Sequence, residues 1–357
     1  MTTNNPYKSQ PPKAFWNSAV SERSLLDMAE MWDPKFNIKN RDAIATYGSC
    51  FAQHIGKALQ ARGYNWLRCE PSVKGMSAEN QARYGYELFS SRTGNIYTSS
   101  QLYQWTEWAL DPGKIPAEIW QENGRFFDPF RPRLEPNGFA SEAELRRMQS
   151  ETCKAFKASV SQAKYLVFTL GLTERWQHKT QGYEYAICPG TAGGTYDSAI
   201  HEFSNMGYQD VEENLQKAIV NLRKINPGLR IILTVSPVSL AATATQNHVF
   251  VASTHSKSIL RAVAGQMALT HDYIDYFPAY EIINTPLSHG TMLKPSLRGV
   301  TPFGVHTVME AFFKALNTKF GKPEKPAAAP ELAGVDPAII DDLVCEEELL
   351  FAFGDSA

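Results

Sequence analysis

The stretch ATYGSCFAQHIGKALQARGY, residues 45–64, places a serine one position after a glycine. Upstream, DAIATYGS (42–49) is a short β-type run. Downstream, Phe51, Ala52, Ile55, Ala58 and Leu59 recur at helical spacing until Gly63. Ser49 therefore stands where a strand hands over to a helix, and two roles suit that corner. Its hydroxyl can cap the helix, because a serine oxygen accepts readily from a free first-turn N–H. It can also be a nucleophile presented at a strand end, with helix N–H groups facing the oxyanion of an attacked ester. Cys50, adjacent, is either a second nucleophile whose thiol ionises more easily at a helix N-terminus, or a small apolar residue turned inward.

The surrounding elements decide what such a corner faces. YLVFTLG (165–171) and LRIILTVSP (229–237) are continuous apolar runs of buried-strand length, and YIDYFPAY (273–280) is a weaker one interrupted by Asp275. Helical patterns lie between and after them, at 141–163, 209–228, 256–269 and 301–316. The first opens with Ser141 and an acid three residues on, a capping-box signature; the last has Pro302 in its first turn. This alternation predicts an α/β fold, a parallel central sheet covered by helices on both faces. Sites in such sheets form beyond the carboxyl ends of the strands, where Ser49 would lie.

The organisation expected is an N-terminal arm over 1–40, a main domain over 41–320, and a proline-rich linker with an acidic tail over 321–357. The stretch 100–140, with Trp105, Trp108, Trp120, Phe126, Phe127 and Phe130, reads as an aromatic insertion. Its rings form either a small core of their own or platforms for sugars. In the tail, residues 337–353 interleave acids with Ile339, Ile340, Leu343, Leu349, Leu350, Phe351 and Phe353. That pattern suits docking into a groove of a protein partner, detachable from the core.

Composition excludes several function classes. A formal charge of −2 and the lack of a basic run argue against nucleic acid. No window approaches the roughly 20 apolar residues of a membrane span, and the first residues lack the apolar stretch of a signal peptide. Five scattered cysteines with no CxxC argue against a disulfide framework or a zinc site, so a cytoplasmic protein with reduced thiols is expected. GTAGGT (190–195) has glycines but no Gly-Lys-Ser/Thr, which rules out a phosphate loop. Nothing calls for a cofactor.

GSCFA at 48–52, GNIYT (94–98), TLGLTERW (169–176), TVSPVSL (234–240), SKSILRAVA (256–264) and YFPAYEI (276–282) resemble, in chain order, the bacterial GSCFA family. That family is placed among the SGNH, or GDSL-like, hydrolases. The resemblance implies a three-layer α/β/α sandwich, flavodoxin-like in its sheet, and Ser49 as nucleophile. It implies oxyanion donors from the N–H groups of Ser49 and Gly94, with Asn95 nearby. GLTE stands where the superfamily has Gly-x-Asn-Asp, so Gly171, Thr173 and Glu174 take those places, a hydroxyl replacing the usual amide.

The Asp-x-x-His that normally supplies the base is missing; SLRGVT occupies 296–301. A serine without a base is a weak nucleophile, so another histidine must serve. The resemblance points first to His248, then to His255, with His306 and His289 behind, and Glu281 or Asp275 orienting the imidazole. The activity implied is hydrolysis or transfer of an acyl ester, most naturally on a saccharide. The alternative is a non-catalytic saccharide- or protein-binding member that has lost its base.

Overall fold

The computed structural model describes residues 5–25, 29–322 and 345–354. Its strands are β1 (Ile44–Gly48), β2 (Trp120–Glu122), β3 (Arg125–Phe127), β4 (Tyr165–Leu170), β5 (Glu174–His178), β6 (His201–Asn205), β7 (Arg230–Val235) and β8 (Ile274–Tyr276). Its α-helices are α1 (Ala52–Ala61), α2 (Ala78–Arg83), α3 (Ser99–Leu110), α4 (Glu142–Gln162), α5 (Tyr208–Ile225), α6 (Val249–Thr270), α7 (Ala279–Ile283) and α8 (Pro302–Phe320).

Four strands form one parallel sheet in the order β1-β4-β7-β8. Their continuous apolar runs are needed because both faces are covered, making three layers. Side chains alternate strictly between the two cores: Leu166, Phe168 and Leu170 of β4 point one way, and Tyr165 and Val167 the other. The first core is closed by α3, α4, α5 and α6, the second by α1, α7 and α8. The expected α/β/α sandwich is therefore the observed one.

The free side of β1 is not bare. Ile44 N–H donates to Asn65 O (2.9 Å) and Leu67 N–H to Ile44 O (2.8 Å), and Trp66 forms a parallel bridge with Ile44. Residues 65–67 thus stand where a flavodoxin-like sheet has its second strand. The chain leaves β1 toward one side and returns at β4 on the other. The crevice between the carboxyl ends of β1 and β4 is the switch point of the sheet, where ligands of such folds bind.

Helix ends obey local chemistry. Ser141 Oγ accepts from Glu144 N–H (3.2 Å), as its spacing predicted, and Thr301 Oγ1 accepts from Gly304 N–H (3.1 Å) ahead of α8. The arm is anchored by Trp32, whose ring stacks on Phe312 (centroids 4.9 Å) and meets Phe277 edge-on (5.1 Å). The stretch expected as an insertion from 100 divides instead. Residues 99–110 are α3, whose Trp105 and Trp108 enter the main core beside α4 and α5, so the excursion begins only after Leu110. Trp120 and Phe130 join that core too; the rings pack neither as a separate cluster nor as open platforms.

The tail also departs from expectation. Residues 337–344 lie outside the described residues, but Cys345 and Glu346 are buried against the chain's own body, and Glu346–Phe353 form a short 3₁₀ helix there. The described part of the tail is docked in cis.

Candidate active site

Gly48 makes the corner. Its φ is +135°, a conformation L side chains rarely adopt, and a Cβ there would lie 2.4 Å from Thr169 O. Ser49 N–H then donates to Thr169 O (3.0 Å), lengthening the β1–β4 ladder by one residue. That N–H is paired within the sheet, unlike the free oxyanion donor expected of it. The hydroxyl does not cap: α1 begins at Ala52 with Phe51 in the cap position and no side-chain cap bond. Ser49 is 2% exposed, and its Oγ has no hydrogen-bond partner among the described residues. An unsatisfied buried hydroxyl costs about 1–3 kcal/mol, so stability does not explain this serine.

Segments distant in sequence converge on it. Ile96 N–H donates to Gly48 O (2.9 Å), which draws 94–98 across the end of β1. Gly171 and Leu172 N–H both donate to Tyr97 O (2.8 and 3.2 Å), and Ser236 N–H to Leu170 O (2.8 Å). A Cβ on Gly171 would fall 3.0 Å from Ser49 Cβ and 2.9 Å from Tyr97 O. Glycine is required there for the end of β4 to lie against the serine.

From α6, Lys257 reaches the same place. It is 4% exposed, and its Nζ donates to Gly171 O at 2.5 Å. Burial pulls its pKa from 10.5 down to about 8, against the pull of Glu347 and the Cys50 thiol. Arg298, before α8, is 8% exposed; its Nε donates to Ser239 O (2.9 Å) and its Nη2 to Glu347 (2.9 Å). The tail closes the crevice. Glu346 accepts from Tyr97 Oη (2.7 Å) and from Asn95 Nδ2, and its N–H donates to Tyr97 Oη (3.2 Å). Cys50 is buried, as the inward reading has it, and its thiol adjoins that of Cys345. The neighbouring thiol, with burial, holds Cys50 well above the usual thiol range; Cys345 is lowered by the same interaction and by Arg298.

The residues singled out from sequence fall in different places. Gly94 has a left-handed φ of +68°, and its neighbour Asn95 is buried, its Oδ1 accepting from Gln53 (3.1 Å). Thr173 donates its hydroxyl to Asn205 Oδ1 (2.6 Å), which engages the group cast as an amide substitute. Glu174 accepts from Thr243 Oγ1 (2.5 Å) and Ala244 N–H (3.1 Å), and burial raises its pKa. His248 is exposed at the N-cap of α6, Nδ1 accepting from Phe250 N–H (3.2 Å). His255, His289 and His306 are exposed as well. Glu281 is held by Arg261 and by Tyr276 Oη (2.8 Å), and Asp275 accepts from Lys35 N–H (2.8 Å). The structure thus gathers Ser49, Asn95 and Gly171, and leaves the histidines outside.

Beside the crevice lies a cavity of about 300 Å³ walled by Tyr97, Leu172, Trp176, Tyr185 and the tail's Leu350 and Phe353. Glu184 lies at its edge, 4% exposed, accepting from Thr98 Oγ1 (2.6 Å) and Ser100; burial lifts its pKa to about 7. Lys257, Arg298 and Glu184 were all missed from sequence. Only Lys257 left a signal: it shares the 253, 256, 260, 263, 264, 267 face of α6, all buried. Among the described residues no group of His, Cys, Asp and Glu could hold a metal ion, and no helix is long and apolar enough to cross a membrane.

No curated protein matches the chain. The model of the GSCFA family matches residues 43–312, a span that runs from β1 into α8 and carries every part of the corner except the tail. On that match over most of its length, the chain belongs to the GSCFA family.

Proposed function

We propose that the protein is an SGNH-type serine ester hydrolase or O-acyltransferase, acting on an acyl ester of a saccharide. The observation that supports it is a buried, unpartnered serine hydroxyl at the sheet's switch point, against a glycine that no larger residue could replace. In the reaction Ser49 Oγ bonds to the acyl carbon and gives up its proton to a base. The tetrahedral oxyanion collapses, expelling the sugar oxygen, which takes the proton. Water or a second hydroxyl then attacks the acyl-serine and releases the acyl group.

Gly94 N–H and the Asn95 amide are the donors proposed for the oxyanion. For the base we assign Lys257, whose amine reaches the carbonyl of Gly171 next to the serine and whose pKa of about 8 lies close to working pH. If an imidazole serves instead, it comes from His248 or His255, with Glu281 behind it, and α6 has to present a face it now turns to solvent. The test is labelling by a serine-directed phosphonate together with turnover of a short-chain aryl ester. Labelling at Ser49 with turnover abolished in Ser49→Ala supports the reading; no labelling and no turnover on any ester refutes it. A binding protein is the second reading, favoured by the lack of any imidazole on Ser49 Oγ among the described residues.

A further inference from the structure

We infer that the ligand of this crevice bears a carboxylate, and that Glu346 and Glu347 of the chain's own C-terminal segment hold the place of that group. The inference rests on reading the Ser49 crevice as the ligand site. Neither Ser49 nor the base assigned to Lys257 accounts for Arg298, a guanidinium buried in the same crevice. Among the described residues, the acids that pair with Arg298 are Glu347 (2.9 Å) and Glu348 (3.5 Å), both from the tail. A buried cation without a partner costs several kcal/mol. The body's own acids at the cavity, Glu174 and Glu184, are held by Thr243, Ala244, Thr98 and Ser100, so the acid that answers Arg298 is left to whatever enters.

What enters here is informative in its detail. The Glu346 carboxylate lies on a cradle of neutral donors, the Asn95 amide and the Tyr97 hydroxyl, while Glu347 takes the guanidinium. Both lie beside the nucleophile, because the Cys345 thiol adjoins that of Cys50, the residue after Ser49. Farther along, Leu350 and Phe353 reach the cavity walled by Trp176 and Tyr185. An occupant with an acid at one end and a ring-sized body at the other matches this course, since aromatic walls favour the apolar face of a sugar. The ligand class is a carboxylate-bearing saccharide, which must displace the tail to bind.

Displacement can be read without turnover. In the full chain, Cys50 and Cys345 are shielded by the seated tail, so iodoacetamide should modify them slowly, as followed by mass spectrometry. The variant Glu346→Gln/Glu347→Gln should be alkylated at least tenfold faster. On the wild type, glucuronate should speed alkylation several-fold, while glucose, and inorganic phosphate at matched ionic strength, should not. The readout needs no turnover, so failure of the hydrolase reading leaves this test standing. Unchanged alkylation in the double variant would show that the acids do not hold the tail. Equal effects of glucuronate and glucose, no effect of either, or an equal effect of phosphate would overturn the carboxylate assignment.

Discussion

Two faces of α6 carry opposite chemistry. On one, His248 and His255 are exposed, His248 engaged in capping its own helix. On the other, Ser253, Ser256 and Lys257 are buried; Ser256 Oγ accepts from Thr173 N–H (3.0 Å), and Lys257 reaches Gly171. Lys257 lies two positions after His255, about 200° of helical turn. Histidine is the residue type best matched to general-base work at neutral pH, yet the helix turns it away from the serine and turns a lysine in. Desolvation then does to Lys257 what residue choice did not, bringing its pKa down toward neutrality.

The largest effect expected is at the serine. Ser49→Ala should reduce aryl-ester turnover by about 10³-fold or more while leaving circular dichroism unchanged and the melting temperature no lower, since the variant loses an unsatisfied buried hydroxyl. Retention of wild-type turnover would remove the nucleophile from the comparison altogether. Lys257→Met should cost about 10²–10⁴-fold, the usual range for a general base. The wild-type rate should rise with pH and level off above about 8, as the neutral amine becomes populated. A plateau already reached near the ordinary histidine range would assign the base to an imidazole instead.

Next in size is the cavity acid. The folded pKa of Glu184 is raised to about 7, above the ordinary carboxyl value of 4.5, so the native state binds this proton more tightly than the unfolded chain. Its stabilising contribution is present below pH 4.5 and is lost as pH rises through 7. Glu184→Gln should therefore be the more stable form at pH 8, by on the order of 2 kcal/mol, and lose that advantage at pH 4. Denaturant titrations at the two pH values check it. An advantage of the same size at both would mean that the carboxyl's ionisation is not the cause.

Removal of the tail after Lys322 comes lower. From sequence the tail was expected to detach without cost, but burial of Cys345 and Glu346 predicts a fall in melting temperature of a few degrees, equivalent to roughly 1–2 kcal/mol. An unchanged transition in differential scanning calorimetry would mean that the seated segment contributes no net stability. Smallest of all, His248→Ala and His255→Ala should each change turnover less than about threefold. If either exceeds the loss at Lys257, the two faces of α6 exchange roles.

Much of the fold was legible because its signals are local. The strand runs at 165–171 and 229–237 appear as β4 and β7, and the Ser141 cap appears where its spacing placed it, since backbone periodicity and capping depend on neighbours a few residues away. α3 was hidden inside a supposed insertion because its tryptophans suggested a separate cluster, while their packing partners lie some fifty or more residues away on α4 and α5. Of the site, Ser49, Asn95 and Gly171 could be found from motif-like stretches. Arg298 could not, because its significance comes entirely from acids that follow it by about fifty residues in the chain.

By itself, then, the sequence determined the α/β alternation, the glycine-serine corner and the family to which the chain belongs. It did so because a strand, a helix cap and a short motif are written within a few residues. Only the tertiary structure decided that the Ser49 N–H pairs within the sheet, that Lys257 is turned to Gly171 while His248 and His255 face solvent, and that the tail's acids cover the crevice. Those outcomes depend on strand order, on helix phase and on burial. Each arises when segments far apart in the chain exclude water between them.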